Sequence, residues 1–462
     1  MSHSLTPRDL ALIVSNLGRA NEALAKAYPG EAGDRQPVHT VYGGAHLFSS
    51  DSAPKLGSLA LAAMDEFAPT AGAFASALGL STDAGFADTV RARVVEKLRR
   101  EPVEDFRLDF EDGYGTRPDA EEDGHAQSAA EQVVAGMRAD TLPPFIGIRI
   151  KPMSTELHGR SLRTLDLFVS TLARAAKKRL PDNFVITIPK VMAPAHVTAV
   201  AQACGILERK LQLKARTLRL ELMIETPQSI LAADGSSVLR ALVAAGGGRV
   251  RGAHFGTYDY TALCGITAAW QHMRHQACDF AKHMMQVALA QTGVTLSDGS
   301  TNVMPVAPHI ATGNRALTAA QRRDNLDAVH RAWRIHFDAV THSLVNGFYQ
   351  GWDLHPAQLP TRYAALYAFF QAALPAATAR LRNFVEKATQ ATLVGDVFDD
   401  AATGQGLLNF FGRALSSGAI TMDEARKTGL TPRELQGRSF LAILDARSSG
   451  GRRLDGLGGR RL

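Results

Sequence analysis

The sequence predicts an α/β protein built on a (β/α)8 TIM barrel, with an N-terminal helical lead-in and a C-terminal helical extension. Three observations predict it: short β-rich runs alternate with longer alanine- and leucine-rich stretches, the runs number eight, and several of them end in an acid or a base. Such alternation marks a parallel sheet joined by crossover helices, and eight strands is the number at which this architecture closes. A doubly wound open sheet is the structural alternative, because alternation alone does not show closure.

Residues 1 to 36 read as the lead-in, since Leu10, Ile13, Leu17 and Leu24 repeat at helical spacing. The barrel is expected over residues 37 to 385. Its strands are read at VHTVYG (38 to 43), FRLDF (106 to 110), FIGIRI (145 to 150), FVITIP (184 to 189), LRLELMI (218 to 224), VRGAHFG (250 to 256), NVMPVA (302 to 307) and VNGFYQG (345 to 351). The first interval is the longest and predicts extra helix between Ser58 and Arg100. After Pro360 the strand signal ends, and Arg362 to Gln390 reads as one or two helices. A C-terminal helical unit is expected over 386 to 446, where Thr421 and Glu424 form a capping box, Gly429 stops that helix and Pro432 starts the next. The stretch from 447 to 462, which reads RSSGGRRLDGLGGRR from Arg447, is expected to be a disordered basic tail.

Composition narrows the function classes. With 45% hydrophobic and 21% charged residues the chain is ordinary globular material, and its formal charge of +6 is concentrated in that tail. No aromatic residues interleave the tail arginines, so nucleic acid is not the expected partner. The start lacks a basic segment followed by an apolar one, and no apolar run approaches the roughly 20 residues that span a bilayer. A soluble cytoplasmic protein with no membrane partner is expected. The three cysteines, Cys204, Cys264 and Cys278, lie far apart without a C-x-x-C pair, which supports neither a disulfide framework nor a cysteine zinc site. No G-x-x-x-x-G-K-[ST] loop is present, so ATP use is not indicated.

The chemistry is carried by the strand ends, DFEDG, IRIKP, PKV, IETP and FGTYDY, because enzymes of this architecture build their sites at that face. Glu225 and Asp259 follow very apolar runs on neighbouring strands, and a buried carboxylate there is costly unless it is paired or holds a cation. Either one alone reads equally well as a helix cap or an arginine partner; together they favour Mg2+ or Mn2+, which one or two carboxylates hold while water and substrate oxygens fill the rest. Asp109 and Glu111 alternate with Leu108 and Phe110 and should share the lumen side, with Asp112 either joining them or serving the turn at Gly113. Arg149 alternates with Ile148 and Ile150; its fork of donors suits a substrate carboxylate or enolate oxygen, or else neutralises Asp109 or Glu111. Lys190 at the fourth strand end is either a Schiff-base lysine or a charge partner. His46 after the first strand and His355 after the eighth are candidate acid/base groups or substrate contacts.

Taken together, DFEDG, IGIRIKP, ITIPKV, MIETPQSI, GTYDYTALCG and GWDLHPAQ resemble, in order, the motifs of the citrate lyase beta subunit and malyl-CoA lyase (HpcH/HpaI aldolase) family. That family lies within the phosphoenolpyruvate/pyruvate-domain superfamily, which also includes the 2-keto-3-deoxy acid aldolases. The resemblance spans roughly residues 37 to 360. It implies Glu225 and Asp259 as Mg2+ (or Mn2+) ligands, Arg149 on the substrate carbonyl or carboxylate, Glu111 and Asp112 in support of metal-bound water, and a homo-oligomer. The sequence departs from the family pattern at GYGTRPDAEEDGHA after the second strand and in the long first interval, which leaves a coenzyme A subsite open. The reading is a metal-dependent carbon-carbon lyase acting on a 2-oxo or hydroxy acid, or its coenzyme A thioester, through an enolate. A phosphoenolpyruvate- or pyruvate-utilising transferase and a non-catalytic metabolite-binding protein are the alternatives.

Overall fold

Runs of β-branched and large apolar residues become parallel strands because both faces of the sheet are covered. The computed structural model describes residues 4–30, 35–81, 83–311, 315–386, 392–394, 397–399, 401–437, 439, 440, 442, 443 and 447. Helix α1 (Pro7–Ala27) comes first, capped by Thr6, whose hydroxyl accepts from the Asp9 N–H while the Asp9 carboxylate takes the Thr6 N–H. Strand β1 (His39–Gly44) follows, and α2 (Ser52–Phe67), α3 (Ala71–Leu78) and α4 (Ala84–Arg100) fill the long first interval. The barrel then runs β2 (Asp105–Asp109), α5 (Asp119–Ala139), β3 (Phe145–Arg149), α6 (His158–Ala175), β4 (Phe184–Ile188), α7 (Pro194–Leu211), β5 (Arg219–Ile224), α8 (Leu239–Ala245) and β6 (Val250–Phe255). It finishes with α9 (Thr257–Leu263), α10 (Gln276–Leu289), β7 (Thr295–Ser297), α11 (Ala319–Val345), β8 (Gly351–Asp353) and α12 (Leu359–Glu386).

The strand order is β7-β6-β5-β4-β3-β2-β1-β8, and every paired neighbour is parallel. Just past β7, the Asp298 N–H donates to the Gln350 carbonyl and the Trp352 N–H to the Gly299 carbonyl, each at 2.9 Å. Those two bonds stitch β7 to β8 and decide for the barrel against the open sheet. Leu108, Ile148, Ile186 and Leu222 point outward and are fully buried under the helices. Their alternating neighbours point inward.

Two strands lie elsewhere than the sequence suggests. The seventh is Thr295–Ser297, not 302 to 307, because NVMPVA, with Pro305, runs as loop after the strand. The eighth is Gly351–Asp353, not 345 to 351: Val345 ends α11, and Gly347, at φ 81°, makes the turn out of it. Beyond α12 a short antiparallel ribbon, β9 (Thr392–Val394) and β10 (Val397–Asp399), replaces the expected purely helical continuation. Helices α13 (Ala401–Ser416), α14 (Met422–Arg426) and α15 (Pro432–Leu435) follow. The Thr421–Glu424 capping box forms as expected, and Gly429 takes φ 79° before Thr431 caps the helix that Pro432 starts. Of the expected tail, residues 448 to 462 lie outside the described residues, while Arg447 pairs with Glu434 at 2.6 Å. Among the described residues no helix is long and apolar enough to cross a membrane.

Candidate active site at the barrel mouth

Inward-facing residues stack in layers, as the period of two along each strand requires. Deep in the lumen, Arg107 on β2 reaches across to both carboxylate oxygens of Glu221 on β5, each at 2.7 Å. Above it Tyr42 on β1, Met223 on β5 and Trp352 on β8 form an apolar floor, with the Tyr42 and Trp352 rings 4.6 Å apart. The third layer is the mouth, where the strand-end acids and bases meet.

Asp109 ends β2 and has both oxygens engaged. One accepts from the Glu111 N–H at 2.9 Å and from Arg149 Nε at 2.7 Å; the other accepts from the Gly113 N–H at 2.7 Å and from Arg149 Nη2. The acid therefore shapes the turn after β2 and clamps the arginine at the end of β3. Arg149 lies 4.8 Å over the Tyr42 ring, and its remaining nitrogen, Nη1, sits 3.1 Å from Glu111 and 3.8 Å from Asp112. Burial works against the charge of this guanidinium, but Asp109 and Glu111 outweigh it and hold it protonated.

Lys190, just past β4, adopts a left-handed backbone with φ 47°, a strained conformation for a residue with a side chain. Its backbone N–H donates to Glu225 Oε1 at 2.6 Å. Its ammonium binds Glu111, lies 3.3 Å from Asp112 and is 3.5 Å from Asp259. One residue thus touches all four of the other carboxylates around the mouth. Burial alone would lower its pKa, yet Glu111 and Glu225 carry it above its ordinary value.

Glu225 ends β5 and is 1% exposed. Burial first, and the neighbouring charge of Asp259 second, push its carboxyl up to about 8, against the pull of Lys190. It packs on Gly256, where a Cβ would come within 2.5 Å of both its Cβ and its Oε2. Asp259 stands in the first turn of α9, partly open to solvent. Burial raises Glu111 despite Arg149 and Lys190, whereas in the more exposed Asp112 those two cations outweigh burial and lower the carboxyl.

This donor set fits a hard divalent cation. Glu225 is a buried carboxylate pushed upward by burial and then by Asp259, the second carboxylate beside it, and oxygen-only ligation suits Mg2+ or Mn2+. Among the described residues no group of three or more His, Cys, Asp or Glu side chains is gathered to hold a metal. Glu225 and Asp259 are the two carboxylates that would hold such an ion, with water and substrate oxygens filling the other positions.

The structure brings Asp109, Glu111, Asp112, Arg149, Lys190, Glu225 and Asp259 together. The two histidines stand apart at the rim. His46 packs edge-on to Tyr114 at 5.4 Å and beside His125 at 5.9 Å. His355 accepts the Ala357 N–H at 3.2 Å as a helix cap and lines a cavity of about 250 Å3 between the ends of β1 and β8. Burial lowers the pKa of both. Tyr42 and Gly256 were not singled out from the sequence, although the alternation in TVYGG places Tyr42 in the lumen. The close approach at Gly256 has no sequence signal beyond the glycine itself.

No curated protein matches the sequence. Among solved structures, a citrate lyase from Burkholderia xenovorans LB400 has a TM-score of 0.55 at 18% identity, covering 86% of this chain and 97% of its own. At lower similarity, CitE from Mycobacterium tuberculosis in complex with magnesium, acetoacetate and coenzyme A has a TM-score of 0.46 at 15% identity, with 84% and 100% covered. A Haloferax volcanii malate synthase in complex with magnesium and glyoxylate also scores 0.46, at 14% identity, with 92% and 95% covered. The Burkholderia structure establishes a common (β/α)8 fold. A family model extends along residues 17–443, and by that match the chain belongs to the family described as domain of unknown function DUF6986.

Proposed function

We propose that the chain is a divalent-metal-dependent carbon-carbon lyase or synthase that acts on a small 2-oxo or hydroxy acid, free or as a thioester, through an enolate. The observation that carries this reading is Glu225, a buried strand-end carboxylate beside Asp259, at the same mouth as a clamped arginine. A Mg2+ or Mn2+ ion held by these two carboxylates would supply Lewis-acid polarisation of a substrate carbonyl. Arg149 supplies the fixed donors: Asp109 and the Tyr42 ring hold its plane, and Nη1 is the nitrogen available to a substrate carboxylate or enolate oxygen in place of Glu111 and Asp112. Glu111 and Asp112 are the acids closest to that position, and they suit the ordering of water or the movement of a proton. Lys190 is held protonated among carboxylates, the reverse of what an imine-forming amine needs, so its role is electrostatic. The cavity beside Tyr42, walled by Phe48, Leu56, Phe106 and His355 with Lys55 at its edge, leaves room for the rest of the substrate, whether acyl chain or thioester arm.

The test is hydrogen exchange without a second substrate. In deuterated water with magnesium, the protein should wash deuterium into the carbon next to the carbonyl, which is the methyl group of pyruvate or of an acetyl thioester and the methylene of 2-oxobutyrate. A chelator should abolish the exchange, and Arg149→Lys should slow it by roughly tenfold or more, because a point charge does not reproduce the fork. Absence of exchange with all three compounds overturns the reading, and exchange that survives chelation moves the chemistry to Lys190.

A further inference from the structure

Helix α1 runs for 21 residues without burying one of them. Leu10, Ile13, Val14, Leu17 and Leu24 are 46% to 63% exposed, and at about 100° per residue they fall within one arc roughly 100° wide. Arg8, Arg19, Glu22 and Lys26 occupy the opposite side, with Leu12 the one large apolar residue among them. A stripe of that width is the pattern of a helix that buries a face, and no described element of the chain buries this one. Leu10, Ile13, Leu17, Ala20, Leu24 and Ala27 alternate at steps of three and four, the repeat of a two-helix seam.

We propose that α1 pairs antiparallel with α1 of a second copy of this chain. In that register Leu10 stands opposite Ala27, Ile13 opposite Leu24 and Leu17 opposite Ala20. Each leucine at a three-four step then faces a small or complementary side chain, and the helices can close to about 8 to 10 Å. A parallel pair would set Ala20 on Ala20 and Ala27 on Ala27 and leave gaps. The antiparallel pair is two-fold symmetric, so both copies use the same patch and the assembly closes at two. Burying five large side chains and their alanine neighbours at roughly 80 Å2 each covers on the order of 1,000 Å2 over both copies, near the floor for a specific interface. The helix carries three basic and two acidic residues, without the Lys- and Arg-rich polar face of a helix that lies on a membrane. Where α1 leaves the barrel, Tyr28 packs under Arg240 at 4.6 Å and the Gly30 N–H donates to the Gln291 carbonyl at 3.0 Å. Gln291 lies in the turn before β7, at the face opposite the active mouth, so pairing there leaves both mouths open.

The test uses the full chain in a Cys264→Ser background, which removes the exposed cysteine. Ile13→Cys chains mixed with Leu24→Cys chains under mild oxidation should give a disulfide-linked pair at least tenfold above self-linked Ile13→Cys, because opposed positions alone bring Cβ atoms to about 4 Å. Leu10→Glu combined with Leu17→Glu should halve the sedimenting mass at micromolar concentration while the thermal unfolding of the barrel stays where it was. Self-linked Ile13→Cys in excess, no link in either mixture, an unchanged mass for the double variant, or binding of wild type to phosphatidylcholine–phosphatidylserine vesicles without self-association would each overturn the proposal.

Discussion

Gly256 offers the sharpest test of the metal assignment, because one methyl group can be added there with almost nothing else altered. The residue joins β6 to α9 with φ −106° and ψ 101°, a backbone open to any side chain, so alanine brings no conformational strain. Its Cβ would stand 2.5 Å from Glu225 Cβ and 2.5 Å from Glu225 Oε2. Carbon contacts settle at roughly 3.5 to 4.0 Å, so Glu225 must give way by on the order of 1 Å. The main chain resists, since the Gly256 N–H is bonded to the Ile224 carbonyl at 3.0 Å directly after the last paired residue of β6, and the shift falls on the carboxylate. Ligand distances in metal sites hold to about 0.2 Å, and disturbing the groups that orient a ligand costs about 10- to 100-fold in affinity. Gly256→Ala should therefore weaken Mn2+ binding by about 10- to 100-fold in a calorimetric titration, while circular dichroism still shows a folded barrel at a cost of about 1 to 3 kcal/mol for the crowding. Gly72→Ala, at a helix position with open space around it, is the control and should bind like wild type. A folded Gly256→Ala protein with wild-type Mn2+ affinity would refute the assignment of Glu225 as a ligand gripped by its glycine neighbour.

Two further outcomes follow from charges that are paired out of water. Asp109→Asn leaves Arg149 buried without its bidentate partner, and breaking such a pair costs about 3 to 5 kcal/mol; the melting temperature should fall and deuterium exchange should slow by roughly tenfold or more, whereas unchanged exchange would show that Tyr42 and Glu111 suffice to place the arginine. Glu101 reports on acid stability: burial raises its carboxyl, but Arg35 and Lys97 outweigh that and bring it from 4.5 down to about 2. A carboxyl lowered in the folded state contributes fully above about pH 4.5 and loses that contribution as the pH falls through about 2. Because these side chains are partly exposed, the difference between wild type and Glu101→Gln should be about 1 to 2 kcal/mol at neutral pH and should vanish toward pH 2. A difference that does not change with pH would mean that packing, not charge, holds this corner.

The fold was legible wherever a strand is covered on both faces. From β1 to β6 the chain must bury both sides, so it spells runs such as FVITI and LRLELMI that stand out from the helices around them. The last two strands have three residues each, TLS and GWD, and they close the ring through backbone bonds that no side-chain pattern encodes. More apolar stretches nearby, NVMPVA and VNGFYQG, therefore drew the reading off register. In the site, a period of two was enough to place acids and bases at the mouth, since parity fixes which side of a strand a residue faces. It could not say which charge answers which. Five carboxylates, Asp109, Glu111, Asp112, Glu225 and Asp259, share the cations Arg149 and Lys190, and a sequence shows that imbalance only as a list. Geometry ranks them. Asp109 is saturated by Arg149 and two backbone N–H groups, while Asp112 and Asp259 reach solvent. Glu111 takes the direct contacts of both cations, and Glu225 is left with a single backbone N–H from a strained residue among its described bonds. The most buried end of the imbalance thus settles on one oxygen pair, and that is where a further positive charge gains the most.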